Sequence, residues 1–380
     1  MKGSIRRRSK NSWEIRFDLP RGPKGERRRG HATIRGAKMD AQRRLRELLT
    51  MAETGLPPDT SKMTLGAYLE QWFGYHESRV RARTIYGYRN SLRRYVIPTL
   101  GHIRLTQIQP AQVDKLYISM TSNGLSPRTA LQTHRILKRA LKQALRWNLI
   151  VRNPLDLIDA PSFEPKEMLT LTAKQLNALV IEALHRPYGT AIIVGAYTGL
   201  RRGELTGLKW TDIDFTNGMV SVAREIVFVP GEGYIVSAPK SAKGRRVVDI
   251  TPEVVTHLKR HAAQQAEHRL SIGSVWKDEG WVLARPDGSH VNPNAITKAF
   301  KNLRDELELP PVRLHDLRHT HASLLLKAGV HLKVVSERLG HSNIGITADI
   351  YSHVTPGMGK DAAQKFQDML SESEAEEATS

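Results

Sequence analysis

The chain has no cysteine. That excludes disulfides, a thiolate nucleophile and any cysteine-based zinc site, and it fits a reducing cytoplasm. It has no apolar run near the roughly 18 residues that a membrane span needs, and its first residues lack the apolar stretch of a secretory signal. A cytoplasmic protein with no membrane partner is the expectation. Acid is scarce: 38 Asp and Glu stand against 58 Lys and Arg, a formal charge of +20. No set of carboxylates has the spacing of a two-metal site, so neither a metal nor another cofactor is expected. No internal repeat is evident.

What is present is a chain of 380 residues, 40% apolar and 25% charged, ordinary for a globular protein and long enough for two or three cores. The basic excess is concentrated at the front. Residues 1–60 hold 16 Lys/Arg against 7 Asp/Glu, and residues 61–160 hold 16 against 5. Residues 161–360 hold 25 against 20, and residues 361–380 reverse the balance with 1 against 6. Two consecutive segments this basic point to nucleic acid as the partner.

The local patterns divide the chain. Residues 12–19 alternate apolar and polar, as a half-buried strand does, and residues 27–34 form a second, highly basic strand candidate after a turn at 20–25. Residues 37–53 carry Ala41, Leu45, Leu48, Leu49 and Ala52 at helical spacing. A small α+β domain over 1–57, a three-stranded sheet with one helix, is expected. It is studded by two arginine triplets, Arg6, Arg7, Arg8 and Arg27, Arg28, Arg29, and such a sheet can lay a strand in a DNA groove. Gly55 to Ser61 reads as a linker. An all-helical domain follows over 62–157. In it Ser126-Pro127 starts a helix with Leu131, Leu137, Leu141, Ala144 and Leu145 toward a core and Arg135, Lys138, Arg139, Lys142 and Arg146 largely on the other side. An apolar stripe backed by a basic one suits a helix pressed on a phosphate backbone. Prolines near 158–166 mark a second linker. Residues 165–371 read as a mainly helical domain with a small antiparallel sheet near 212–250, and residues 372–380 as an acidic tail.

Four stretches of that third domain hold polar residues beside apolar ones. They are Thr198–Leu205, Pro239–Arg246, Leu314–His321 and Leu339–His353. Together they supply Arg, Lys and His in excess over acid. Phosphoryl transfer needs charge on the non-bridging oxygens, from metals or from fixed cations such as arginine. If this is phosphoryl transfer, the residues imply the metal-free route, and without cysteine a Tyr, Ser or His must be the nucleophile. His315 and Arg318, three apart, share a helix face. Gly340 suits a helix C-terminus, which leaves His341 just beyond it. Taken singly, each of these residues has a plain reading as a surface charge, a cap or a core tyrosine.

In this order the stretches resemble the active-site boxes of the tyrosine recombinases, the phage-integrase family. Thr198-Gly199-Leu200-Arg201 with Gly203-Glu204-Leu205 is similar to the first arginine box, and Lys240 to the β-hairpin lysine, with Lys243 a near neighbour. His315-Asp316-Leu317-Arg318-His319-Thr320 resembles the His-x-x-Arg box and Leu339-Gly340-His341-Ser342 the second histidine box. Tyr351 follows ten residues later. The resemblance implies that Tyr351 attacks the scissile phosphate to give a 3′-phosphotyrosyl link, while Arg201 and Arg318 clamp its oxygens. It implies that Lys240 protonates the leaving oxygen, His315 assists proton transfer from Tyr351 and His341 hydrogen-bonds the phosphate. Glu204 is expected to pair with a basic neighbour rather than to react. The layout is similar to that of phage and conjugative-transposon integrases: an arm-binding domain, a helical core-binding domain (SAM-like) and a catalytic domain. It implies core-type and arm-type sites on double-stranded DNA in a bacterial host, a tetramer on DNA, a C-terminal helix near 358–371 docking on a neighbouring subunit, and an excisionase and a DNA-bending protein as further partners. Two other readings use part of the pattern: a type IB topoisomerase-like relaxase, and a DNA-binding regulator on an inactive catalytic fold.

Overall fold

Alternation over Ser12–Leu19 buries Ile15 and Phe17 on one side, and this segment (β2) is the centre of a three-stranded antiparallel sheet with β1 (Gly3–Ser9) and β3 (Arg28–Arg35). The face that carries Ile15 and Phe17 packs on helix α1 (Lys38–Thr54) through Leu48 and Ala52, with Leu45 and Leu49 at the edge of this small core. The computed structural model describes residues 2–20, 26–54, 62–164, 168–239, 242–341, 343–351, 363–364 and 366–368. By contact the chain divides into two units, Met1–Pro165 and Lys166–Ser380.

The rest of the first unit is helical. Its elements are α2 (Leu65–Glu77), α3 (Ala82–Ser91), a π-helical turn at Leu92–Val96, α4 (Ile97–Leu100), α5 (Pro110–Ser122) and α6 (Pro127–Arg146). Ser126 caps α6 by accepting from the Thr129 backbone N–H, with Pro127 in the first turn. The core gathers Leu65, Tyr68, Leu69, Trp72 and Phe73 from α2 with Leu137, Ala140, Leu141 and Ala144 from α6. Leu131, expected in that core, is only half-buried, and Ile136 is buried instead. The buried face of α6 is broad and includes Thr133 and His134, so the inward stripe is rotated from the one the leucines alone suggest.

The second unit begins with α7 (Ala173–Ala183), started by a capping box between Thr172 and Gln175, and α8 (Gly189–Thr198), which is buried on almost every side. A short helix α9 (Arg202–Thr206) leads to strands β4 (Ile213–Asp214) and β5 (Met219–Val222). The hairpin β6 (Glu225–Val229) and β7 (Gly233–Ser237) intervenes before β8 (Arg246–Asp249) returns to complete the sheet β4-β5-β8. Helices α10 (Pro252–Ile272), α11 (Pro293–Glu306), α12 (Asp316–Lys327), α13 (Leu332–Leu339) and α14 (Ile344–Tyr351) follow. Buried α12 packs on both α8 and α13, and α13 touches β8 and α14. This stacking brings four sequence-distant stretches to one place. The helix expected over 358–371 lies largely outside the described residues, as does the acidic tail at 372–380. Among the described residues no helix is long and apolar enough to cross a membrane.

Candidate active site and nucleic-acid interface

Gly199 ends α8 in the left-handed region, φ 64°, and a Cβ there would stand 2.7 Å from Leu339 Cδ2 and 3.0 Å from the His321 ring. Only glycine meets both demands. The turn sets Arg201 as the cap residue before α9. Its guanidinium gives Nη1 to Glu204 Oε1 at 2.7 Å, and its backbone N–H donates to Glu204 Oε2 at 2.9 Å. Glu204 is 1% exposed and accepts a second arginine, Arg246, at 2.9 Å and 3.2 Å. Burial alone would raise its pKa, but Arg246 and Arg201 together bring it down to about 2. Glu204 is therefore an ionised counter-charge locked between two guanidiniums, as its pairing role predicts.

Arg318 is 3% exposed. Its Nη1 donates to the Gly199 carbonyl at 2.9 Å and its Nη2 to the Leu339 carbonyl at 2.6 Å. These are the last carbonyls of α8 and α13, where the helix dipoles favour a cation. The charge is thus anchored by the backbone ends of two helices. His315 precedes α12 and is exposed. The surrounding protein and the Arg318 charge lower its pKa, with Arg313 and Arg201 adding to the effect against Asp316. Asp316 itself is held by a bidentate Arg313 at 2.7 Å and 3.0 Å.

Gly340 closes α13 at φ 66° and ψ 45°, as expected, and His341 follows it. The ring is 9% exposed and its Nδ1 shares a 2.7 Å hydrogen bond with Thr347 Oγ1 on α14. Burial first, then the Arg318 and Arg201 charges, push its pKa down to about 4. Arg201, His315, Arg318 and His341 are therefore brought within each other's electrostatic reach. Tyr351 is the last residue of α14, which packs on α13; its side chain and Lys240 lie outside the described residues. Lys243 is exposed on a 3-10 turn at Ala242–Gly244.

Three residues that spacing did not single out complete the site. Arg246 on β8 joins Glu204 to the Arg338 carbonyl, to which its Nε donates at 2.7 Å. His319, whose ring lies edge-on to His315 at 5.2 Å, is pushed down to about 4 by burial and by His315. Arg338 donates through Nε to His321 Nε2 at 3.1 Å and through Nη2 to the carbonyls of Tyr197 and Asp249 at 3.0 Å and 2.8 Å. Because His321 Nε2 accepts, its proton sits on Nδ1 and donates to the Ala196 carbonyl at 3.0 Å. Arg246 ends one of the four stretches and Arg338 stands one residue before another, and nothing else in the sequence marks either from the many other arginines.

The basic triplets divide on folding. Arg6 lies opposite Glu14 and Arg7 opposite Trp13, so the pleat sends them to opposite faces of the sheet. Arg7 stacks over Trp13 at 6.0 Å, and Arg8 approaches Glu14 at 4.0 Å. Arg27 forks onto Asp18 at 3.2 Å and 3.3 Å, Arg29 lies 3.9 Å from the same carboxylate, and Arg28 faces Leu19 across the strands. On α6, Lys138 is engaged by Asp156 at 3.1 Å, while Arg135 is exposed. Arg139 is steered by Tyr88 Oη at 3.0 Å. With Lys142, Arg146 and Arg79 it lines a depression of about 390 Å³ that has no carboxylate in its wall. The Arg79 guanidinium carbon lies over the Tyr75 ring, 3.8 Å from its centroid.

Residues 169–358 match the model of the Phage integrase family, and residues 64–121 match that of the phage integrase N-terminal SAM-like domain. A tyrosine recombinase XerC-like protein of Caldanaerobacter subterraneus is 30% identical over 353 residues, 88% of this chain and 90% of that one. The chain belongs to the phage integrase family. This tyrosine recombinase is also 28% identical over 372 residues to a putative prophage phiRv2 integrase of Mycobacterium tuberculosis, covering 95% of this chain and 94% of its relative. Among solved structures it is similar to the Tn1549 transposon integrase in complex with transposon right end DNA. There the TM-score is 0.68 at 25% identity, over 81% of this chain and 100% of that one. A lambda integrase dimer bound to a COC′ core site shares the fold at TM-score 0.58 and 17% identity, over 91% of this chain and 93% of that one. The recombinase is thus a site-specific one, of the phage and mobile-element integrase type.

Proposed function

We propose that the recombinase cuts and rejoins DNA at Tyr351 without a metal, with Arg201, Lys240, His315, Arg318 and His341 as the groups that act on the scissile phosphate. The convergence of Arg201, His315, Arg318 and His341 beside the helix that ends in Tyr351 carries this reading. Tyr351 Oη attacks phosphorus and gives up its proton with help from His315. The bond from phosphorus to the 5′ oxygen breaks, its electron pair stays on that oxygen, and Lys240 or Lys243 supplies the proton. A 3′-phosphotyrosyl link and a free 5′-hydroxyl result, and reversal with a new 5′-hydroxyl rejoins the strand. Arg201 and Arg318 balance the charge on the non-bridging oxygens, the role fixed cations fill in phosphoryl transfer. His341 stays neutral and donates to the phosphate. The phosphodiester energy is kept in the link, so no nucleotide cofactor is consumed.

The arm-binding sheet (1–57), the core-binding domain (62–157) and the catalytic domain (165–371) address double-stranded DNA at arm-type and core-type sites. Arg6 and Arg28 on the sheet and Arg135, Arg139 and Lys142 on α6 contact the backbone, and Arg79 and Arg146 join Arg139 and Lys142 around one phosphate. Arg8, Arg27, Arg29 and Lys138 reach DNA only by leaving their carboxylate partners. A lambda integrase tetramer bound to a Holliday junction shares the fold, and the same assembly is proposed for this chain, with an excisionase and a DNA-bending protein setting direction.

The test is a nicked suicide substrate bearing the core site, resolved on a denaturing gel. Wild type should trap a covalent adduct, and Tyr351→Phe should bind the same DNA without one. An adduct that persists in the variant rules out Tyr351.

A further inference from the structure

Arg246 ends one of the four stretches that build the site and touches two of the other three. Its guanidinium holds both oxygens of Glu204, which follows Arg201. Its Nη1 donates to the Gly244 carbonyl at 3.2 Å in the turn that carries Lys243, and its Nε donates to the Arg338 carbonyl at 2.7 Å in the last turn before His341. The side chain is only 6% exposed. Gly340 leaves room for it: a Cβ there would stand 3.0 Å from Arg246 Cδ and 2.8 Å from the Lys243 carbonyl oxygen. We propose that Arg246 is a positioning residue for DNA cleavage, fixing Arg201 through Glu204 and holding the lysine-bearing turn and the His341 segment in register with it.

The inference rests on Arg201 acting at the phosphate, and its chemistry needs a fork rather than a charge. Glu204 sits between two guanidiniums, and only a planar group with several donors can satisfy two carboxylate oxygens and two carbonyls at once. A lysine keeps Glu204 ionised but meets one acceptor at a time. A neutral residue leaves Glu204 buried with Arg201 as its single cation. The groups facing this pair are Arg201 from the start of α9, Arg246 from β8, Arg338 from α13, and His341 beyond it, on which the Arg246 charge also acts. Removing Arg246 therefore raises the pKa of Glu204, and its protonation then frees Arg201 to swing.

The experiment compares Arg246→Gln, Arg246→Lys and Arg245→Gln, the last at an exposed neighbour, in the full chain. It measures single-turnover cleavage of the suicide substrate at saturating DNA across pH, with duplex affinity and thermal unfolding recorded in parallel. Arg246→Gln should cleave about 100-fold more slowly, as misplacement of a reacting group by about 1 Å can cost. Its duplex affinity should stay within about 2-fold, so that the loss falls on the chemical step. It should also gain an acid limb that wild type lacks, as the raised Glu204 carboxyl titrates. Arg246→Lys should lose the limb but remain roughly 10-fold slow. A loss no greater than that of Arg245→Gln, or a loss that tracks the folded fraction with an unchanged pH profile, overturns the inference. Arg201→Lys separates the two levels. If it cleaves like wild type, the reading of the site fails; if it is inactive while Arg246→Gln is not, only the role of Arg246 fails.

Discussion

Three histidines of the second unit, His319, His321 and His341, have their pKa pushed from 6.5 down to about 4, each by burial first and by nearby cations or rings after it. Each is neutral in the folded protein at pH values where the unfolded chain binds a proton. Unfolding therefore takes up protons, and stability is complete above 6.5 and lost as pH falls toward about 4. The expected slope is about 1.4 kcal/mol per pH unit for each ring inside that window. Urea unfolding of the full chain at a series of pH values measures it, and stability that stays level from about pH 6.5 to 5 contradicts the prediction. At this scale the sequence pointed to candidate residues but not to what holds them. The spacing of His315 and Arg318 and the glycine before His341 were readable. The partners of Arg318 were not, since they are backbone carbonyls of Gly199 and Leu339, brought near only by the packing of α8 and α13 on α12.

At the level of elements, α6 shows how a basic stripe divides once it is folded. Lys138 is engaged by Asp156, whereas Arg139, Lys142 and Arg146 converge with Arg79 on a carboxylate-free depression. Neutralising Arg79 and Arg146 together should lower the slope of log affinity against log salt for duplex DNA by about 1 for each cation that meets a phosphate. Arg93→Ala, at an arginine already forked onto Glu70, should leave the slope unchanged. Filter binding over a salt series decides, and equal slopes for all three proteins would remove the phosphate site from α6. The helix itself was legible from Ser126-Pro127 and its leucines. The strand Gly3–Ser9 was harder to place, because three arginines occupy it and it shows no apolar alternation; its exposed face toward solvent gives no reason for one. The depression was not legible at all, since Arg79 arrives from beyond the end of α2, far from α6 in sequence.

For the whole molecule, charge is the dominant physical fact. The first 160 residues carry an excess of basic over acidic side chains that the remaining 220 do not increase on balance. On the proposed function, long-range attraction to DNA acts mainly through the first unit, while the proposed catalytic residues all belong to the second. Removing residues 1–57 should spare cleavage at a core site and abolish protection of a separate arm-type site. Footprinting with the shortened protein checks this, and protection that survives the deletion refutes the division of labour.

The anchoring of Arg318 bears on inheritance. Its two acceptors belong to the main chain, which every residue type supplies equally. No point substitution at Gly199 or Leu339 can delete a carbonyl; it can only displace the helix end that presents it. An anchor built this way tolerates drift in the side chains around it so long as the three helices keep their crossing. A relative 30% identical over 353 residues has had ample room for such drift.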